Sequence, residues 1–268
     1  MATMRHFVGV VVFCSAIVLA SCSATDAGQS PGSNVTSTTS AVPAPAPTDA
    51  AGLAALLRRG ISSVSSAHLT LNVSAGSKVI KGEGDAKLAD GTLQALGISE
   101  ELGSTGTLRL VVADGATYAL LPPTLNPSGN YWVLVIPNSS NPAVRTLATV
   151  IESFRSSASF DNFTAFTSAA RRVTLVGNES LDGAPVTHYS IDVDVAKLPN
   201  TIPGRQALLG AGVTTLPTEL YVDGDGRPVK LTQDLTLQGQ RFSTVITLSK
   251  FNAPVSISAP PADQIGPS

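Results

Sequence analysis

The residues able to do chemistry are few, and their spacing sorts them. Cys14 falls inside an apolar run from Phe7 to Ala20, whereas Cys22 closes that run behind Leu19, Ala20 and Ser21 and precedes a polar stretch. Cleavage ahead of Cys22 would leave one thiol, which excludes a disulfide framework within the chain and leaves no second sulfur for redox or metal work. His68 opens one alternating segment and His188 lies on the polar side of another, with no nucleophile evident between them; both read as structural or surface residues. Asp223-x-Asp225-Gly226 offers two carboxylates at the spacing of a calcium loop, but Arg227 stands where a third oxygen ligand is needed, so a hairpin turn is the better account. There is no Gly-x-Ser-x-Gly elbow, no His-Glu-x-x-His and no phosphate-binding glycine loop. No catalysis, metal or cofactor is expected, and the residue left to explain is Cys22.

Its surroundings explain it. A short basic start at Arg5 and His6 followed by the apolar run, too short for a comfortable bilayer span, reads as a signal peptide over residues 1–21. Leu-Ala-Ser-Cys at its end is the pattern called a lipobox, and here the chain resembles bacterial lipoproteins. That resemblance implies that Cys22 becomes the new N-terminus and carries diacylglycerol on its sulfur. The expected location is then the cell membrane, lipid-anchored and facing the periplasm or envelope, with partial secretion.

The formal net charge is −2, with 13% charged and 43% hydrophobic residues, where about a quarter charged is usual in a soluble domain. Such a chain can bury a large apolar surface. Mild acidity without clustered Lys and Arg argues against nucleic acid, and Arg58-Arg59 and Arg171-Arg172 read as solvated charges. Residues 22–50 are rich in Ser, Thr, Pro and Ala, include Val42-Pro-Ala-Pro-Ala-Pro47, and cannot bury enough surface to offset ordering entropy. They are expected to form an extended tether whose Thr/Pro segment could carry sugars in a suitable host.

A folded domain over residues 51–258 must then supply the function, with a Pro-rich tail over 259–268. Thr48-Asp49 caps a helix with Leu53, Leu57, Ile61 and Val64 on one face, expected to end near Ser66. His68–Ser74 alternates as a strand, and a cleaner alternation sets Ile80, Gly82, Gly84, Ala86 and Leu88 against Lys81, Glu83, Asp85 and Lys87. Two glycines in one inward row imply either that something approaches this face closely or that the strand is bent or crossed by a helix. On the first view, Gly84→Leu should reduce ligand capacity and spare the fold.

Gly106–Leu121 reads as a hairpin about Ala113-Asp114-Gly115, with two registers open. A three-residue loop puts Leu108, Leu110 and Val112 on one face with Tyr118 and Leu120 and is preferred; a tight Asp-Gly turn would put Tyr118 and Leu120 beside Arg109. Tyr131–Val135 is a strand holding the single Trp, and Asn141-Pro142 starts a helix with Val144, Leu147, Ile151 and Phe154 on one face. Phe160, Phe163 and Phe166 permit a further helical turn packed into the core. Val173–Val176 and Val186–Val195 flank a turn at Asp182-Gly183, the second with Tyr189, Ile191 and Val193 inward. A short helix near Leu208-Leu209 precedes three more strands, at Glu219–Val222, Val229–Leu237 and Phe242–Lys250, and a Val255-Ser-Ile257 segment closes the chain.

The lipobox, the tether, the helix running through Ser65-Ser66-Ala67-His68 into a strand, the Asp114-Gly-Ala-Thr-Tyr118 hairpin, and Leu216-Pro-Thr-Glu-Leu-Tyr-Val-Asp223 followed by Gly226-Arg-Pro-Val229 occur in that order. In that order they resemble the mycobacterial lipoprotein family of LppX, LprA, LprF and LprG, over roughly Ala51 to Ile257. The resemblance implies an α+β fold: one strongly curved antiparallel β half-barrel with helices on its concave side, enclosing an apolar cavity for acylated lipids or glycolipids. The family offers no strict contact motif. The cavity-lining set is therefore a pattern inference: Ile80, Gly82, Gly84, Ala86, Leu88, Leu108, Leu110, Val112, Tyr118, Leu120, Tyr189, Ile191 and Val193.

The expected function is a monomeric, non-enzymatic envelope protein that carries or presents acyl lipids, with the membrane and the lipid as partners and a membrane lipid transporter as a further candidate. The alternative is a structural or interaction lipoprotein whose core is filled by its own side chains.

Overall fold

In a computed structural model, the structure describes residues 45–125, 131–136, 148, 160–200, 202, 204–237 and 239–266. The signal peptide, Cys22, most of the tether and most of the helix expected from Asn141 to Phe154 lie outside the described residues. Helix α1 (Ala50–Ser62) begins where the sequence implies, the Asp49 carboxylate accepting from the Gly52 N–H at 2.8 Å. It stops at Ser62 rather than near Ser66, because Ser63 caps it and strand pairing already claims Ser66. Leu53, Leu57 and Ile61 are buried along one face, as a 3.6-residue period requires.

Among the described residues, eleven antiparallel strands make one unclosed sheet, β1 (Ser66–Ala75), β2 (Lys78–Ala89), β3 (Thr92–Glu101), β4 (Thr107–Ala113), β5 (Ala116–Leu120), β6 (Trp132–Leu134), β7 (Ala170–Leu181), β8 (Ala184–Asp194), β9 (Thr215–Val222), β10 (Pro228–Leu237) and β11 (Gln240–Ser249). The spatial order is β6-β5-β4-β3-β2-β1-β11-β10-β9-β8-β7, which fits a curved half-barrel open between β6 and β7. Helices are few. Among the described residues, α2 (Asp161–Ser168) and α3 (Arg205–Gly210) join α1. Phe160 and Phe163 flank the start of α2 with ring centroids 6.3 Å apart, and both are buried.

Strand β3 is the element that sequence periodicity missed. Its pairing with β2 slips between Lys87 and Leu88, so its apolar residues switch phase between Leu93 and Leu96. The signal that could have found it is Asp90-Gly91, both at positive φ (50° and 77°) in a two-residue turn. Asp114-Gly115 and Asp182-Gly183 repeat the device, with φ of 53° and 74°, and 51° and 83°. Turns with both central residues left-handed match the twist of the flanking strands.

That repeat corrects the β4–β5 register. Ala113 pairs with Ala116, Leu110 with Ala119 and Arg109 with Leu120, so the tight turn holds and the three-residue loop does not. Tyr118 and Leu120 therefore point to the face opposite Leu108, Leu110 and Val112, and Ala119 takes the inward place. A slip of one residue flips every side chain.

The core lies between the helices and one face of the sheet. Helix α1 seals the end of the sheet near the β9–β10 turn, where Gly60 and Gly226 (φ +82°) meet backbone to backbone. A Cβ on Gly60 would stand 2.1 Å from the Gly226 carbonyl oxygen. In that turn Asp223 accepts from the N–H groups of Asp225 and Arg227, and the Arg227 guanidinium lies between the carboxylates of Asp223 and Asp225, 2.8 and 2.7 Å away. The arginine thus occupies the place a cation would take. Arg171 and Arg172, read as solvated charges, bridge β7 to Asp194 and Asp192 at 3.0 and 2.6 Å. The Pro-rich end does not trail away: Ile265 bridges Trp132 in parallel, and Ile257 passes 3.8 Å from where a Cβ on Gly97 would stand.

Candidate functional site

Register defines the helix-side face residue by residue. Leu108, Glu100, Gly82, Leu71, Ile246, Leu231, Leu220 and Tyr189 follow one another from β4 to β8 as direct cross-strand partners. Directly opposed residues project to one side of a sheet, so this row is a nearly unbroken apolar band interrupted by one carboxyl. Of the thirteen positions inferred from pattern, Ile80, Gly82, Gly84, Ala86, Leu88, Leu108, Leu110, Val112, Tyr189, Ile191 and Val193 share this face. Tyr118 and Leu120 do not, for the register reason given above.

Burial along the face is graded. Toward α1, Ala67, Ala86, Leu96 and Val222 are at most 1% exposed. Toward the opposite end, where the β1–β2 and β10–β11 turns lie, Ile80, Leu102, Leu235, Leu237 and Phe242 are only half-buried, while Val73 and Ala75 of the central β1 stay buried between them. One end of the sandwich is closed by packing and the other presents apolar side chains at its rim.

The two inward glycines have different causes. A Cβ on Gly84 would stand 2.1 Å from the Gly97 carbonyl oxygen and 2.7 Å from Ile98 Cα, so this glycine lets β2 and β3 approach rather than leaving a side-chain volume open. Gly84→Leu would therefore strike backbone, contrary to the expectation that it spares the fold. At Gly82 the neighbour is a side chain: Glu100 Cγ and Oε1 lie 3.3 and 3.5 Å from the Cβ position.

Glu100 is the residue that sequence reading overlooked. It is 6% exposed on a face of Leu, Ile and Gly. Burial pushes its pKa from the ordinary 4.5 to about 8, so the carboxyl is chiefly protonated at neutral pH. Tyr189, at the far end of the same row, is 0% exposed, its hydroxyl has no hydrogen-bond partner among the described residues, and burial pushes its phenol up as well. Neutral donors in an apolar setting can bind a polar atom of a ligand.

The two sequence-predicted histidines lie on the opposite face. His68 Nδ1 is 2.9 Å from Asp85 across β1–β2. His188 is stacked on Tyr221 at 4.2 Å between centroids, with Nδ1 2.6 Å from Glu179 and Nε2 2.7 Å from Glu219. Both nitrogens are engaged by carboxylates, and Ser190 donates to Glu219 at 2.9 Å rather than to the imidazole. The group is a cross-strand polar ladder on the outer surface.

Comparison with solved structures bears on this fold. LprF from Mycobacterium bovis aligns with a TM-score of 0.51 at 17% identity, covering 79% of this chain and 96% of that one. The chain has the LprF fold. LppX from Mycobacterium tuberculosis, described as a lipoprotein, aligns at 16% identity over 78% of this chain and 99% of that one, with a TM-score of 0.47. In sequence, an uncharacterized 31.2 kDa protein of Streptomyces griseus, from the rplA-rplJ intergenic region, is 32% identical over 103 residues, 35% of this chain. The match spans about a third of that relative, 34% of its length. No protein-family model matches the chain.

Proposed function

We propose that this chain is a lipid-anchored envelope protein that receives the acyl chains of a lipid or glycolipid between its sheet and helices, and carries or presents them between the membrane and the outer envelope. The observation that carries the reading is the graded helix-side face, sealed at the α1 end and lined at the other by half-buried Ile80, Leu235, Leu237 and Phe242. The LprF-like fold and the lipobox at Cys22 support it. Each buried methylene contributes about 0.8 kcal/mol, so a chain of some sixteen carbons contributes roughly 10 kcal/mol before its ordering entropy. The process needs no catalysis: a mouth, an apolar interior and an acceptor that binds the lipid as well are sufficient.

A second reading has its own support, since Tyr189, Leu96, Ile191 and Leu220 are already at most 1% exposed, as in a core filled by the protein itself. Mass spectrometry of solvent extracts from protein purified without detergent from an actinobacterial host separates the two. A stoichiometric acyl lipid is expected, and its repeated absence would leave the structural reading.

A further inference from the structure

Glu100 is the one carboxyl on the helix-side row, and its setting is specific. It is the penultimate residue of β3, at the half-buried rim, beside Leu102 and one strand from Ile80. Its cross-strand neighbours are Gly82 and Leu108, and its i−2 neighbour on the same face is Ile98. Lys81 and Glu101, paired with each other, point to the other side of the sheet. Among the described residues no cation occupies the positions directly across from Glu100 or two residues along its own strand; Lys78 stands on the same face of β2, four residues before Gly82. The missing side chain of Gly82 is what makes room for Glu100. An apolar residue at this place would bury more favourably, since withdrawing a polar group from water costs about 1 to 3 kcal/mol where no partner replaces it.

We propose that the Glu100 carboxyl donates a hydrogen bond to an ester carbonyl of the bound lipid, fixing how deep the acyl chains enter. This rests on the acyl-lipid reading above. A protonated carboxyl has one O–H to donate and needs an acceptor. In an acyl ester the carbonyl lies where the apolar chain meets the polar remainder. Glu100 stands at the matching point of the protein, between the sealed apolar end and the open rim. A hydrocarbon would leave the O–H unpaired, whereas an ester satisfies it without requiring ionisation.

The test uses full-length processed protein stripped of bound lipid, offered phosphatidylcholine vesicles doped with either dipalmitoylglycerol or the matching dihexadecyl ether, which keeps the chains and lacks the carbonyls. Wild type should load the ester about tenfold over the ether, the effect of one hydrogen bond of roughly 1.4 kcal/mol. Glu100→Gln, which keeps a donor, should retain most of that preference, and Glu100→Leu should load both lipids equally. Equal loading by wild type, or a tenfold preference persisting in Glu100→Leu, overturns the role of Glu100 and leaves the lipid reading intact. Loading of neither probe by wild type overturns both. Should Glu100→Leu not fold, the infrared C=O stretch of the protonated carboxyl, identified by its loss in Glu100→Gln, decides in wild type: it should shift with the ester and not with the ether, and an unmoved band overturns the proposal.

Discussion

Glu100 lies directly across from Gly82, and the glycine admits it: a Cβ on Gly82 would stand 3.3 Å from Glu100 Cγ and 3.5 Å from Oε1. The pair places a titratable group where water is scarce, and stability must register that. Because the carboxyl is raised from 4.5 to about 8 in the fold, the folded state holds the proton more tightly than the unfolded chain between those values. The stabilisation is complete below about pH 4.5 and is lost as pH rises through 8, by roughly 5 kcal/mol at most. Glu100→Gln should abolish this component. Urea midpoints of the two proteins should diverge from pH 5 upward in favour of the variant, and parallel curves would mean the carboxyl is solvated.

The two inward glycines of β2 should respond differently to a methyl group. Gly84→Ala drives a Cβ into the Gly97 carbonyl, which cannot rotate aside, and should cost more than about 3 kcal/mol or prevent folding. Gly82→Ala presses on the Glu100 side chain, with the Ser99 carbonyl oxygen in ordinary contact at 3.6 Å, and should cost about 1 kcal/mol. Equal melting temperatures for the two variants would show that β2 and β3 are not so closely apposed at Gly84.

In an exposed helix, glycine to alanine is stabilising by up to about 1 kcal/mol. Gly60→Ala should reverse that sign, because its Cβ would stand 2.1 Å from the Gly226 carbonyl oxygen and lift α1 from the β9–β10 turn. Gly210→Ala, at the end of α3 with no atom within 4 Å, is the control and should be neutral or stabilising. Thermal melts of both variants decide; a stabilised Gly60→Ala would mean α1 docks elsewhere.

Tyr189→Phe removes a buried hydroxyl that has no partner among the described residues. In protein stripped of lipid the variant should gain about 1 kcal/mol. A loss of similar size in chemical denaturation would reveal a donor or acceptor for that oxygen.

Cys22→Ala tests the anchor. The variant should carry no lipid mass at position 22 and should leave the membrane fraction or remain unprocessed. Identical partitioning of variant and wild type, with no lipid on Cys22, would remove the anchor from the proposed function.

Much was legible in the chain. The capped start of α1, the alternation of Ile80 to Leu88 and of Tyr189 to Val193, and the Asp-Gly turns at Asp114 and Asp182 are written in local periodicity and in residues that tolerate positive φ, which act within a few positions of themselves. The lipobox is equally local. Three things were decided only by the tertiary structure. The register of β4 on β5 turns on a single residue, and both alternatives satisfy the same alternation, so only strand pairing puts Tyr118 outside and Ala119 inside. Strand β3 changes phase at the slip opposite Lys87 and Leu88, which a fixed period of two cannot follow. The proton affinity of Glu100 does not belong to a glutamate as such: it arises from desolvation on an apolar face, created when β2 and β4 pair on either side of it, and no pattern along the chain carries that information.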